Sequence, residues 1–123
     1  MFAAVMVGTV TSNRQVYVGY TPAKSTSYLI FGAWVCAGKA VTPNPNNYWK
    51  LSLGKVTSAK FIPVWEISLK AGVSLAGTKF EPKAGVSAPR GSVLALKASA
   101  VGNPPPLENL SVVFEYGPLG PGV

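Results

Sequence analysis

Four glutamates, Glu66, Glu81, Glu108 and Glu115, are the only acids in a 123-residue chain that has neither aspartate nor histidine. General acid–base chemistry near neutral pH draws most often on imidazole, and no Ser-His-Asp or Cys-His arrangement can be assembled without it. A glycosidase-like mechanism would need two carboxyl groups to meet across a cleft. Only Glu66 and Glu115, in different predicted strands, offer such a pair, and the expected reading is of solvated carboxylates beside lysines. One cysteine, Cys36, forms no internal disulfide, and with no imidazole it cannot complete a tetrahedral zinc site. The glycines form neither a phosphate loop nor a dinucleotide fingerprint. The expectation is a protein that is not an enzyme and has no metal and no cofactor.

Binding chemistry has more to work with. Tyr48-Trp49 follows the turn-forming stretch Thr42-Pro43-Asn44-Pro45-Asn46-Asn47 and precedes Lys50. An exposed Tyr-Trp pair there would stack on a sugar or a base, or anchor a protein interface. Trp34 and Trp65, set in apolar runs, are expected in the core, as is Cys36, read as a small buried hydrophobe. The formal charge is +7, from eleven Lys and Arg against the four Glu. That excess favours anionic partners. The lysines arrive singly, however, in the manner of residues that solubilise strands and protect sheet edges, so nucleic acid is a less favoured partner than protein.

The elements that position these residues are strands. Thirteen Gly and eleven Pro leave few intervals long enough for a helix, and the runs between them are rich in β-branched and aromatic residues. Strands are expected over 3–11 and 15–20, separated by the turn Ser12-Asn13-Arg14. A long strand over 27–36 has two apolar faces, with Tyr28, Ile30 and Trp34 on one and Leu29, Phe31, Ala33 and Val35 on the other; it is expected to be central and deeply buried. Trp49, Leu51 and Leu53 alternate with Lys50, Ser52 and Gly54. Over 60–69, Phe61, Pro63, Trp65, Ile67 and Leu69 share a face, and Pro63 marks an edge or a bulge. Lys70-Ala71-Gly72-Val73-Ser74 recurs as Lys83-Ala84-Gly85-Val86-Ser87, which reads as one turn chemistry used at two corners of a sheet, with a pair of short strands between them over 75–82. Strands over 92–101 and 110–116 follow, the last with Leu110, Val112, Phe114 and Tyr116 inward. About eight strands without helices predict an all-β antiparallel β-sandwich, jelly-roll-like or another Greek key. It forms one domain over residues 1–117, with a Pro/Gly-rich tail over 118–123.

The second half also has a recognisable layout. Ile67-Ser68-Leu69-Lys70-Ala71-Gly72-Val73-Ser74 is followed by Pro89-Arg90-Gly91-Ser92, Val93-Leu94-Ala95-Leu96-Lys97-Ala98 and Leu110-Ser111-Val112-Val113-Phe114-Glu115-Tyr116. Residues 60–117, with Tyr20-Thr21-Pro22, resemble the small β-sandwich proteins that decorate tailed-phage capsids or form phage head and tail fibres. The positive charge departs from that group, many of whose members are near neutral or acidic. The resemblance implies a bacteriophage virion structural protein, of the capsid decoration or cement type or a fibre subunit. Such a protein would be made in the host cytoplasm without a signal peptide and added to a major capsid or other virion protein as an oligomer, often a trimer. Interface residues on that reading are Phe2, Tyr48, Trp49, Leu119 and Val123, the last two on a tail suited to lie on a neighbour. No run of about eighteen apolar residues predicts a membrane span. The alternative is a ligand-binding β-module that recognises carbohydrate or single-stranded nucleic acid through Tyr48-Trp49.

Overall fold

Alternating apolar residues in short segments cannot bury their inward side alone, so the segments pair into sheets and the sheets stack. The computed structural model describes residues 2–20, 28–88 and 93–118. Its strands are β1 (Phe2–Val10), β2 (Arg14–Tyr20), β3 (Tyr28–Cys36), β4 (Tyr48–Thr57), β5 (Lys60–Ser68), β6 (Thr78–Phe80), β7 (Val86–Ala88), β8 (Val93–Val101) and β9 (Leu107–Pro118). No helix occurs among the described residues. One sheet has the order β1-β9-β3-β6 with β7 also on β3, and the other has the order β2-β8-β4-β5. Every strand pairing is antiparallel.

The strands β6 and β7 pair with successive parts of β3, Ala33 to Val35 and Tyr28 to Ile30, and act as one interrupted strand. Counted so, four strands form each sheet. Only the β4–β5 hairpin stays within one sheet, and every other connection crosses to the other. That path is the double Greek key of a jelly roll. The expected sandwich is therefore the observed one.

Its core lies between the sheets. Val5, Val7 and Val10 of β1, Ile30, Ala33 and Val35 of β3, and Leu110, Val112 and Phe114 of β9 meet Trp49, Leu51 and Leu53 of β4, Leu96 and Ala98 of β8, and Ile67 of β5. In β4 Trp49, Leu51 and Leu53 are buried as predicted, but Ser52 and Gly54, which alternate with them, are buried as well. In β9 Leu110, Val112 and Phe114 are buried as predicted. Pro63 has both expected properties. Strand β5 is an edge strand, and its register with β4 shifts between the Leu53↔Trp65 and Gly54↔Pro63 pairs.

Bulges correct four side-chain assignments, those of Phe31, Trp34 and Cys36 in β3 and of Phe61 in β5. In β3 the register with β9 shifts between Ile30 and Gly32, so Ile30, Ala33 and Val35 all face the core although their spacing is not uniformly two. Trp34, expected in the core, is instead 41% exposed on the outer face, and Phe31 is 45% exposed. Cys36, expected buried, is only half-buried on that face. In β5 the shift at Pro63 turns Phe61 outward, where its ring lies against Gly54 and 5.7 Å from the Lys97 ammonium. Trp65, which lies beyond the shift, packs against the core as expected.

The segment over 75–82 holds one three-residue strand, β6, preceded by a tight turn, rather than a pair of strands. In that turn Ser74 Oγ donates to the Gly77 carbonyl and the Gly77 amide donates to the Ser74 carbonyl, both at 2.9 Å. The two copies of the repeated pentapeptide also differ. Gly72 has φ 84°, whereas Gly85 has no positive φ and Val86 beyond it starts β7. They are not one turn used twice. The predicted break over 21–25, the connector Pro89-Arg90-Gly91 and the tail residues Leu119 and Val123 lie outside the described residues.

The β4–β5 hairpin turns on Ser58 and Ala59, both with positive φ (50° and 60°), which defines a type I′ turn. Left-handed backbone costs about 1–2 kcal/mol per residue with a Cβ. Combining Ser58→Asn with Ala59→Gly is expected to add about 1–2 kcal/mol of stability. The check is a higher urea midpoint at unchanged m-value.

Candidate functional site: an end cleft and an apolar sheet face

At one end of the sandwich the 38–47 loop meets the 102–108 segment. Asn44 organises the first. Its Oδ1 accepts the amides of Asn46 and Asn47, each at 3.0 Å, and its own amide donates to the Lys70 carbonyl at 3.0 Å. Such side-chain turns are the reason asparagine recurs in loops. Asn47 Oδ1 then accepts the Asn103 amide at 2.7 Å and joins the two loops. Val41 and Val73 exchange backbone hydrogen bonds of 2.8 and 3.0 Å, and the Gly38 amide donates to the Glu108 carbonyl at 2.7 Å. Between the loops lies a cleft of about 320 Å³, with Lys39, Asn44, Tyr48, Pro105 and Glu108 among its walls.

Tyr48 and Trp49 divide between this cleft and the core, as alternation in a strand requires. Trp49 is only 2% exposed, and its indole N–H donates to the Pro105 carbonyl at 2.8 Å. Its ring is closed to an external sugar or base, which corrects the reading of an exposed Tyr-Trp pair. Tyr48 is half-buried at the cleft, with the Lys70 ammonium 4.9 Å from its ring centroid. Phe2 is backbone-paired with Glu115 at the start of β1.

The glutamates do not converge on the cleft. Glu66 and Glu115 sit on outward faces of different sheets, because their neighbours Ile67 and Phe114 point into the core between them. Glu66 pairs with Lys50 at 3.5 Å, and Lys79 bridges Glu81 at 3.0 Å and Glu115 at 3.6 Å. The hydrogen bond from Lys79 to Glu81 and the charges of Glu81 and Glu115 hold the Lys79 ammonium above its ordinary pKa. A raised lysine pKa means that this stabilisation is complete below the ordinary lysine value. It is lost as pH rises through the raised one. No group of three or more His, Cys, Asp and Glu side chains gathers among the described residues.

The second feature is the outer face of the β1-β9-β3-β6 sheet. Backbone register aligns Ala4, Val113, Trp34 and Lys79 in one row, and Met6, Ser111 and Cys36 in the next. Met6 is 79% exposed and Trp34 41%. The 74–77 turn borders them, because a side chain at Gly77 would strike the Trp34 indole and Cys36 Sγ. Leu75 in that turn is 69% exposed. A groove of about 350 Å³ runs between Gly32, Trp34, Lys79, Val113 and Glu115. Sequence reasoning missed this face because it carried the alternation of β3 unbroken through Gly32. A glycine inside an apolar strand is a bulge signal and was the available clue.

No known family matches the chain, and no curated protein matches it. Among solved structures it is similar to the nucleoplasmin-like N-terminal domain of Drosophila FKBP39, with 14% identity and a TM-score of 0.43 over 100% of this chain and 94% of that one. It is also similar to a chain in the structure of the infectious bursal disease virus Gx strain, with 12% identity and a TM-score of 0.39 over 99% of this chain and 37% of that one.

Proposed function

We propose that this chain is a non-enzymatic structural subunit of a bacteriophage virion, of the decoration or cement type, made in the host cytoplasm. It attaches to a shell protein through the outer face of the β1-β9-β3-β6 sheet. The observation that carries this reading is the group of exposed apolar side chains on and beside that face, Met6, Trp34 and Leu75, where Met6 and Leu75 are the two most exposed large apolar side chains among the described residues. Apolar side chains gathered on one face mark interaction surfaces, and tryptophan is the residue most often found at their energetic centre. The ion pairs of Lys79 at the border supply a polar rim. The net charge of +7 speeds docking on an acidic shell. The outward, lysine-paired glutamates support a protein that acts through contact and not through proton transfer.

Co-sedimentation of the purified chain with shells that lack it tests the proposal. Wild type is expected to pellet with the shells, and Trp34→Lys combined with Leu75→Lys to weaken attachment by at least about tenfold, the scale of losing one hot-spot contact. Undiminished attachment of that variant refutes the assignment of this face. A second reading, recognition of carbohydrate or single-stranded nucleic acid, draws on the end cleft, where Tyr48 stands beside Lys39 and Lys70. There Tyr48→Ala, and not a change at buried Trp49, is the informative variant, and nucleic-acid binding would weaken steeply with salt.

A further inference from the structure

An edge strand presents unpaired amides and carbonyls to any passing strand, and proteins blunt such edges with charge, proline, bulges or shortness. The jelly roll has four edges, and three are blunted. Strand β5 carries Lys60, Pro63 and Glu66 and a register shift, while β2 carries Arg14 and a shift between Tyr17 and Gly19. The β6/β7 edge is two three-residue pieces, one holding Lys79. Strand β1 is different. From Phe2 to Met6 it pairs with Glu115 to Ser111 in unbroken register, and the shifts begin only beyond Met6, around Gly8. Its sequence, FAAVMVGTV, has no charge and no proline. Among the described residues β1 pairs with β9 alone.

From this contrast we infer that the β1 edge is the contact between two copies of this chain. Two β1 strands pair antiparallel about a two-fold axis perpendicular to the sheet and join the β1-β9-β3-β6 sheets of both copies into one. A second copy can occupy this edge despite its charge. Molecules of charge +7 repel, so a self-contact must form where lysine and arginine are absent. The strip Phe2 to Met6 satisfies this and ends near Gly8, where the Arg14 guanidinium lies close by. Antiparallel self-pairing about a two-fold is closed and isologous, so it yields a dimer and not an open fibre. It brings Ala4 and Met6, both exposed on the outer face, to the joint in each copy. The apolar face of one copy then continues onto the other. The inference does not depend on the shell reading. It gives a two-fold assembly where the phage resemblance implies a trimer.

Sedimentation equilibrium on the full chain, with hydrogen exchange of the β1 amides, tests it. Wild type is expected to have the mass of a dimer, and its β1 amides to be protected in a way that fades on dilution. Combining Ala4→Lys with Met6→Lys places four like charges at the joint and is expected to weaken dimerisation at least about tenfold. Ile62→Lys on the blunted β5 edge, and Trp34→Lys, should leave the mass unchanged. Loss of shell attachment in Trp34→Lys with the dimer intact thus separates this contact from the docking face. A wild-type monomer with fast-exchanging β1 amides at every concentration overturns the inference. So does a trimer that survives the lysine pair. The exchange measurement on wild type decides the matter even if the double variant fails to fold.

Discussion

Trp49→Ala is expected to destabilise the fold by about 3–5 kcal/mol, the range for removing a large aromatic side chain from a core. The ring is buried between the sheets, and its indole N–H holds the Pro105 carbonyl of the 102–108 segment, 56 positions away in sequence. Truncation leaves a cavity and also removes the donor to the Pro105 carbonyl. For a domain of this length the loss corresponds to a fall in Tm of roughly 10–20 °C. Trp49→Phe retains most of the packing and loses the donor, so a smaller cost of about 1–3 kcal/mol is expected. Urea denaturation followed by circular dichroism measures both. A cost below about 1 kcal/mol for alanine would contradict the core placement. A ligand that lost affinity for the Trp49→Ala protein would therefore be reporting a deformed cleft and not a missing stacking platform.

Gly72→Ala is expected to cost about 2–4 kcal/mol, from left-handed backbone strain and a displaced loop together. Gly72 has φ 84°, and a Cβ there would strike the Val41 carbonyl oxygen and stand 3.0 Å from the nitrogen and Cδ of Pro43. Backbone on that side cannot yield without breaking the Val41–Val73 bridge. The equivalent glycine of the repeated pentapeptide is the natural control. The three atoms nearest to a Cβ at Gly85 all belong to the Leu29 side chain, at 2.5 Å and beyond, and the backbone there needs no positive φ. Gly85→Ala is accordingly expected to cost at least about 1 kcal/mol less, since a leucine rotamer can move where a carbonyl cannot. Equal costs in the two variants would show that the copies have the same conformation after all. Hydrogen exchange at Val41 and Val73 should accelerate in Gly72→Ala alone, because their exchanged hydrogen bonds close one wall of the end cleft.

The two candidate surfaces differed in how far they could be read beforehand. The end cleft was partly visible, because prolines and asparagines over 42–47 announce a loop and Tyr48-Trp49 follows directly. Which of the two aromatics faces the cleft depended on the phase of β4, already present in the alternation of Trp49, Leu51 and Leu53 with Lys50, Ser52 and Gly54. The apolar sheet face was hidden, because the shift at Gly32 exchanges inside and outside in the middle of β3 and takes Trp34 with it. The vulnerable edge was hidden for another reason. An uncharged strand such as Phe2–Val10 is harmless in the middle of a sheet and exposed at its margin, and nothing within its nine residues says which it is.

What the amino acids determined by themselves was therefore local: strand after strand, turn chemistry at asparagine and glycine, the inward side of β4 and β9, and the lack of imidazole and aspartate. A side-chain period of two is written residue by residue and needs no partner to be read. Tertiary structure alone decided the strand order, which side chains of β3 the shift at Gly32 turns outward, the hydrogen bond that ties Trp49 to Pro105, and the isolation of β1 at a margin. These are pairings between residues far apart in the chain. Register between distant strands is set by the joint fit of both sheets in one core, so no single segment contains it.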